Sequence, residues 1–125
     1  MLILALDTSS PAGSLAILRD EKVIGVVSTW AEETYSARMF RHLEFLLREL
    51  LLDLKQIDLF AVAAGPGSFT GLRVGLTAAK GWAEVYRKPI AGVSGLEAVA
   101  AQAHSTARLL IPILDARRGQ IYFGF

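Results

Sequence analysis

Ala64-Gly65-Pro66-Gly67-Ser68-Phe69-Thr70-Gly71-Leu72-Arg73-Val74-Gly75 is the stretch on which the reading of the whole chain turns. Ahead of it lies Ile57-Asp58-Leu59-Phe60-Ala61-Val62-Ala63, a short apolar run of the kind that forms a buried strand. Beyond it, residues 72–87 keep a helical rhythm of apolar positions. A strand, a glycine-rich loop and a helix N-terminus can cradle an anion, because free backbone N–H groups and the helix dipole point the same way. The spacing excludes two well-known forms of that cradle. Gly65, Gly67 and Gly71 do not fit G-x-G-x-x-G, and no Gly-Lys-Ser/Thr follows. Pro66 also removes one N–H. Two readings stay open here: a phosphate-binding loop, or glycines that serve a tight turn and close helix–strand packing.

Composition bounds the function classes. The 125 residues suffice for one domain with a real core, not for two. Hydrophobic residues make up 53% of the chain and its mean hydropathy is +0.42, so more apolar surface is expected than the chain can hide alone. No uninterrupted apolar run approaches the roughly 18 residues of a membrane span. The N-terminus has no basic region before its apolar run, and Asp7 interrupts that run, which speaks against a signal peptide and for a cytoplasmic protein. A net charge of +1 gives no strong field for nucleic acid or anionic membrane. With no cysteine, disulfides, thiolate catalysis and thiolate zinc sites are excluded. His42 and His104 are too few for an all-histidine metal site, leaving only carboxylates.

Upstream of the glycine stretch, residues 2–6 read as a buried strand that ends at Asp7-Thr8-Ser9-Ser10-Pro11, a turn dense in hydroxyls. Residues 13–18 and 23–30 read as two more strands, joined by Arg19-Asp20-Glu21-Lys22 as an antiparallel hairpin. A carboxylate followed by hydroxyls can hold a metal–phosphate pair, or can bond its own backbone as an Asx or Ser/Thr turn. Asp7, Thr8 and Ser9, with Gly65, Gly67 and Ser68, are therefore the candidate residues if a nucleotide is bound at all.

The polar stretch Glu32-Glu33-Thr34-Tyr35-Ser36 leads into a helix expected over 36–54. Met39, Leu43, Leu46, Leu50 and Leu54 recur at helical spacing, and Phe40, Leu47 and Leu51 widen the stripe beyond what one sheet contact requires. Phe45 and Leu52 fall on the opposite side among Arg38, Arg41 and Arg48, a combination enriched at partner surfaces. The helix expected over 70–87 is apolar on two faces. Leu72, Gly75, Leu76, Ala79, Trp82, Ala83 and Tyr86 form one; Val74, Ala78, Gly81 and Val85 form a second, made of small residues that permit close helix approach. A strand over 89–93 follows, then a helix over 95–104 with Ser94 as N-cap, Glu97 in the capping-box position and His104 at its C-terminal end. A strand over 109–115 containing Pro112, a turn at 116–119 and a partner strand over 120–125 read as the start of a second lobe, cut short.

The order strand-strand-strand-helix-strand-helix-strand-helix, then a hairpin, is that of an α/β first lobe of the ribonuclease H-like, actin/Hsp70 (ASKHA) type. It implies a mixed five-stranded sheet of order 3-2-1-4-5 with the second strand antiparallel, a first lobe over 1–106 and the start of another over 107–125. Four motifs carry a more specific resemblance: Leu4-Ala5-Leu6-Asp7-Thr8-Ser9-Ser10; residues 65–75 with Ala79-Lys80-Gly81; Val93-Ser94-Gly95-Leu96-Glu97; and Asp115-Ala116-Arg117-Arg118-Gly119-Gln120-Ile121-Tyr122. Together they resemble the TsaB (YeaZ) family. That resemblance implies a part in the bacterial machinery that places N6-threonylcarbamoyl on a tRNA adenosine beside the anticodon. It implies a partner, the catalytic paralogue TsaD, bound through first-lobe helices, with TsaE joining as an ATPase and tRNA met only through the complex. The catalytic paralogues carry a His-x-x-x-His metal pair that falls here on Gly95 and Val99, and Glu where Asp7 stands. The resemblance thus implies a non-catalytic scaffold with no cofactor and no metal. On those helices the surplus apolar positions Phe40, Phe45, Leu47, Leu51, Leu52, Val74, Ala78, Gly81 and Val85 are the expected interface, shared with a second copy when the chain is alone. His42-Leu43-Glu44-Phe45-Leu46-Leu47-Arg48 departs from the family's His-Ser-Glu-x-Leu-Leu-Pro at Leu43 and Arg48. The alternative function is a nucleotide-dependent enzyme that uses the Asp7 turn and the glycine loop; no Ser-His-Asp spacing or zinc ligand set supports a glycoprotease.

Overall fold

Alternation of side chains along three strands fixes where the core sits. In the computed structural model residues 1–32 and 35–125 are described, so Glu33 and Thr34 of the polar stretch lie outside the described residues. The strands β1 (Leu2–Asp7), β2 (Ala12–Arg19), β3 (Lys22–Trp30), β4 (Leu59–Gly65) and β5 (Ile90–Ser94) form one sheet in the order β3-β2-β1-β4-β5. β2 runs antiparallel to β1 and β3, while β4 lies parallel to β1 and β5 parallel to β4, as the 3-2-1-4-5 expectation requires. Register pairs Leu4 with Ile17 and Phe60, and Leu6 with Leu15 and Val62. All six side chains are between 0% and 3% exposed on one face of the sheet. Burying each contributes about 1.5–3 kcal/mol, against a net stability of only about 5–15 kcal/mol for a typical domain. On the other face Ala5 is in register with Ala16 and Ala61, and Ala61 with Ala91.

Two long helices cover the leucine face. α1 (Ser36–Glu49) inserts Met39, Leu43 and Leu46, and α2 (Phe69–Tyr86) inserts Ala79 above a buried Gly75. Gly25 of β3 lets α1 come close: a Cβ there would stand 2.9 Å from Leu50 Cδ1. α1 is shorter than the expected 36–54. Leu51 takes a left-handed backbone with φ of 53°. Its N–H donates to the Arg48 carbonyl at 3.2 Å and the Leu52 N–H reaches back to the Leu47 carbonyl at 2.8 Å, which is a Schellman stop. Leu54 then opens a separate 3₁₀ turn, Leu54–Gln56, whose capping box pairs Asp53 with Gln56. The leucine periodicity is real, but its last member belongs to another element.

Other boundaries shift for local reasons. β4 begins at Leu59 and not at 57, because Ile57, fully buried, ends the 3₁₀ turn. α3 (Gly95–Ala101) has its Ser94 cap, with the Glu97 N–H donating to Ser94 Oγ at 3.4 Å. It stops three residues short of His104, which therefore does not sit at its C-terminal end. Ser105 redirects the backbone there, accepting the Ala107 N–H at 3.1 Å. β6 (Ile113–Arg117) and β7 (Gln120–Phe123) make a separate two-stranded sheet. Pro112 keeps β6 from starting at 109, since it lacks the N–H a ladder needs, although its carbonyl accepts the Gly124 N–H at 3.3 Å. Arg117, Arg118 and Gly119, all at positive φ, close that hairpin.

Leu51 leads to a stability prediction. Its side chain is 90% exposed, so its removal uncovers nothing, while a left-handed backbone disfavours any residue with a Cβ by about 1–2 kcal/mol. Leu51→Gly should raise stability by about 1 kcal/mol, after allowing for the greater freedom of glycine in the unfolded chain. Urea titration reads this as a higher midpoint at unchanged slope; a lower midpoint would contradict it.

Candidate functional site

The parallel pairing of β1 and β4 carries Asp7 and Gly65 to the same end of the sheet, so the two candidate loops meet there. Thr8 is 2% exposed and its hydroxyl donates to the Gly71 carbonyl at 2.6 Å. The Ser9 carbonyl accepts the Ser68 N–H at 2.7 Å, and Asp7 Oδ1 accepts the Ser9 N–H at 2.8 Å. Three glycines make this approach possible. A Cβ would stand 2.0 Å from the Thr8 carbonyl oxygen on Gly71, 2.3 Å from Thr8 Oγ1 on Gly75, and 2.6 Å from Ser9 Cβ on Gly67. Gly65 turns the chain with φ of 106°. At the start of α2 the Ser68 hydroxyl accepts the Gly71 N–H at 3.2 Å.

Asp7, Thr8, Ser9, Gly65, Gly67 and Ser68 are thus brought together, but as one packed contact between two loops. The Ser68 and Gly71 amides, which an anion would want, are already engaged, and Pro66 has none to offer. The Asp7 carboxylate makes an Asx-type bond, the plainer of its two readings.

Beside this contact runs a cleft of about 480 Å³ between the two loops, α3 and the β6–β7 hairpin. Asp7, Ser9, Gly67 and Ser68 line one wall; Asp115, Arg117 and Tyr122 line the other. Asp115 mirrors Asp7, its Oδ1 accepting the Arg117 N–H at 2.7 Å. Gly95 and Val99, one turn apart on α3, also border the cleft. Neither side chain carries a ligand atom. Among the described residues no three His, Asp or Glu side chains come together, so Asp7 and Asp115 are the carboxylates the cleft offers a cation.

The second candidate surface lies on the helices, away from the cleft. Phe40, Phe45, Leu51 and Val85 are exposed, and a Cβ added to Gly81 would meet nothing within 4 Å. Leu47, Leu52, Val74 and Ala78 are partly buried against the core. The Phe40 ring stands edge-on to Trp82 of α2 at 6.3 Å, and Trp82 lies 5.8 Å from the buried Phe60. Phe40 therefore joins α1 to α2 through Trp82, on the first apolar face of α2, and its own outer surface stays exposed. Phe45 lies about 140° further round α1 at 100° per residue and is not part of that surface.

Arg38 corrects the expected framing of Phe45 by arginines. It is 7% exposed, donates from Nη1 to Thr29 Oγ1 at 2.6 Å and from Nη2 to the Pro11 carbonyl at 3.1 Å, and lies 5.1 Å from the Tyr35 ring centre. Tyr35 itself fills the space over Gly13, where a Cβ would be 2.1 Å from the ring. A glycine inside a strand marks such an approach, and Gly13 is the signal that could have found it. Only Arg41 and Arg48 remain on the exposed side.

Residues 15–125 match the family model of TsaD, tRNA N6-adenosine threonylcarbamoyltransferase. The chain is 40% identical over 124 residues to the tRNA threonylcarbamoyladenosine biosynthesis protein TsaB of Bacillus subtilis, a match covering 99% of this chain and 54% of that protein. It is 37% identical to the protein of the same name from Haemophilus influenzae, covering 98% and 52%. The chain spans about half the length of these curated relatives. YeaZ from Pseudomonas aeruginosa superposes with a TM-score of 0.88 at 30% identity, over 98% of this chain and 58% of that one. Among the described residues no helix is long and apolar enough to cross a membrane.

These contacts generate two expected outcomes. Gly75→Ala should cost about 1–3 kcal/mol as an overpacked core substitution, and markedly less in a Thr8→Ala background, where Oγ1 no longer blocks the new methyl. Chemical denaturation of the four proteins gives the coupling directly; additive effects would contradict the contact. The second concerns His42, whose Nδ1 is 3.0 Å from the Tyr35 hydroxyl. Burial, then the Arg38 and Arg41 charges, hold its pKa below the ordinary 6.5. The unfolded chain then takes up the proton first, so stability should fall as pH drops below 6.5 toward the lower folded value. His42→Gln should flatten that part of the stability–pH curve; an unchanged slope would contradict the assignment.

Proposed function

The chain belongs to the TsaB (YeaZ) family, within the group that the TsaD model matches, and from that premise we propose that it serves tRNA threonylcarbamoyladenosine biosynthesis as a non-catalytic subunit. Its task is to bind and activate a TsaD-like catalytic partner through the outer face of α1 and α2. The observation that carries this reading is that Phe40 of α1 and Val85 of α2 are exposed, with open space over Gly81 and Ala78 only partly buried. Small residues at 78 and 81 let another helix approach closely, and the aromatic edge of Phe40 supplies an anchor of the kind enriched at interfaces. If the covered area reaches about 800 Å² per partner it is a standard interface, with affinity set by fit and not by area.

The cleft supports the non-catalytic half of the reading. Gly95 and Val99, on which the resemblance lays the metal pair of the catalytic paralogues, border the cleft without a ligand atom, and the space over the loop glycines is filled by Thr8 and Ser9. On the same reading residues 1–106 form the first lobe and the β6–β7 hairpin opens a second. A TsaE-like ATPase joins the assembly, tRNA is met only through the complex, the setting is cytoplasmic, and the isolated chain pairs with a second copy through the same helices.

The cleft itself favours one other reading, a nucleotide-binding enzyme, because Asp7, Ser9 and Ser68 border about 480 Å³ of open space at the start of α2. Calorimetry with ATP and magnesium separates the two. The scaffold reading expects no binding at micromolar nucleotide, and a micromolar dissociation constant would favour the enzyme.

Gly81 gives the sharpest test of the interface. Because a Cβ there meets nothing within 4 Å, Gly81→Leu should leave the fold intact. Yet the leucine would stand where a partner helix must approach, and binding to the TsaD-like protein should weaken at least about tenfold, equal to 1.4 kcal/mol. Pull-down and light scattering, with circular dichroism as the folding control, read both effects. Undiminished binding would place the interface elsewhere.

A further inference from the structure

We draw no further inference here: the strongest candidate, the alanine-lined outer face of the five-stranded sheet where Ala5, Ala16, Ala61 and Ala63 lie beside Ala98 of α3, is an unpartnered apolar face, and nothing in the structure shows what covers it.

Discussion

The hydrogen bond from the buried Thr8 hydroxyl to the partly buried Gly71 carbonyl, 2.6 Å long, is the contact on which the arrangement of both candidate surfaces depends. It ties the turn after β1 to the first turn of α2, across a gap only glycines can leave. A methyl group at position 71 or 75 would push the two apart by colliding with Thr8 itself. Because α2 is anchored there, its first apolar face settles on the sheet through Gly75 and Ala79 and its second, with Gly81 and Val85, turns outward. The loop that looks like an anion cradle is the device that aims the helix.

That double use explains why the glycine stretch is ambiguous in the sequence. Gly65, Gly67, Gly71 and Gly75 announce a close backbone approach, but not whether the approaching group is a phosphate or another loop. The sheet is far more legible. Leu4 and Leu6, Leu15 and Ile17, and Phe60 and Val62 alternate with smaller residues, so a period of two sets both the strands and the buried face. The hairpin turn at Asp20 then fixes the antiparallel start of the strand order. Helix ends are less legible, because Leu51 stops α1 in a conformation that glycine would signal and leucine does not. The burial of Arg38 is hidden too: it depends on Thr29 and Pro11, which are distant in sequence until the strands form.

The apolar surplus suggested by composition takes a definite place in the fold. α1 has one deeply buried stripe, and Phe40 on its flank leans on Trp82 instead of reaching the sheet. α2 carries a partly buried Ala78 at the edge of its core-facing side and an exposed Gly81 beyond it. A helix with two apolar faces is satisfied only when both are covered. The core satisfies one. On the proposed reading a TsaD-like partner satisfies the other, while the cleft near Asp7 has no metal pair on α3 and the Ser68 and Gly71 amides beside it are engaged internally.

Hydrogen–deuterium exchange of the chain, alone and mixed with the TsaD-like enzyme, tests that docking of the helices most directly. Docking through α1 and α2 predicts new protection within Ser36–Glu49 and Phe69–Tyr86, strongest around residues 74–85, with the 7–11 turn unchanged. Protection confined to the 7–11 turn and the β6–β7 hairpin, with both helices exchanging as before, would contradict it.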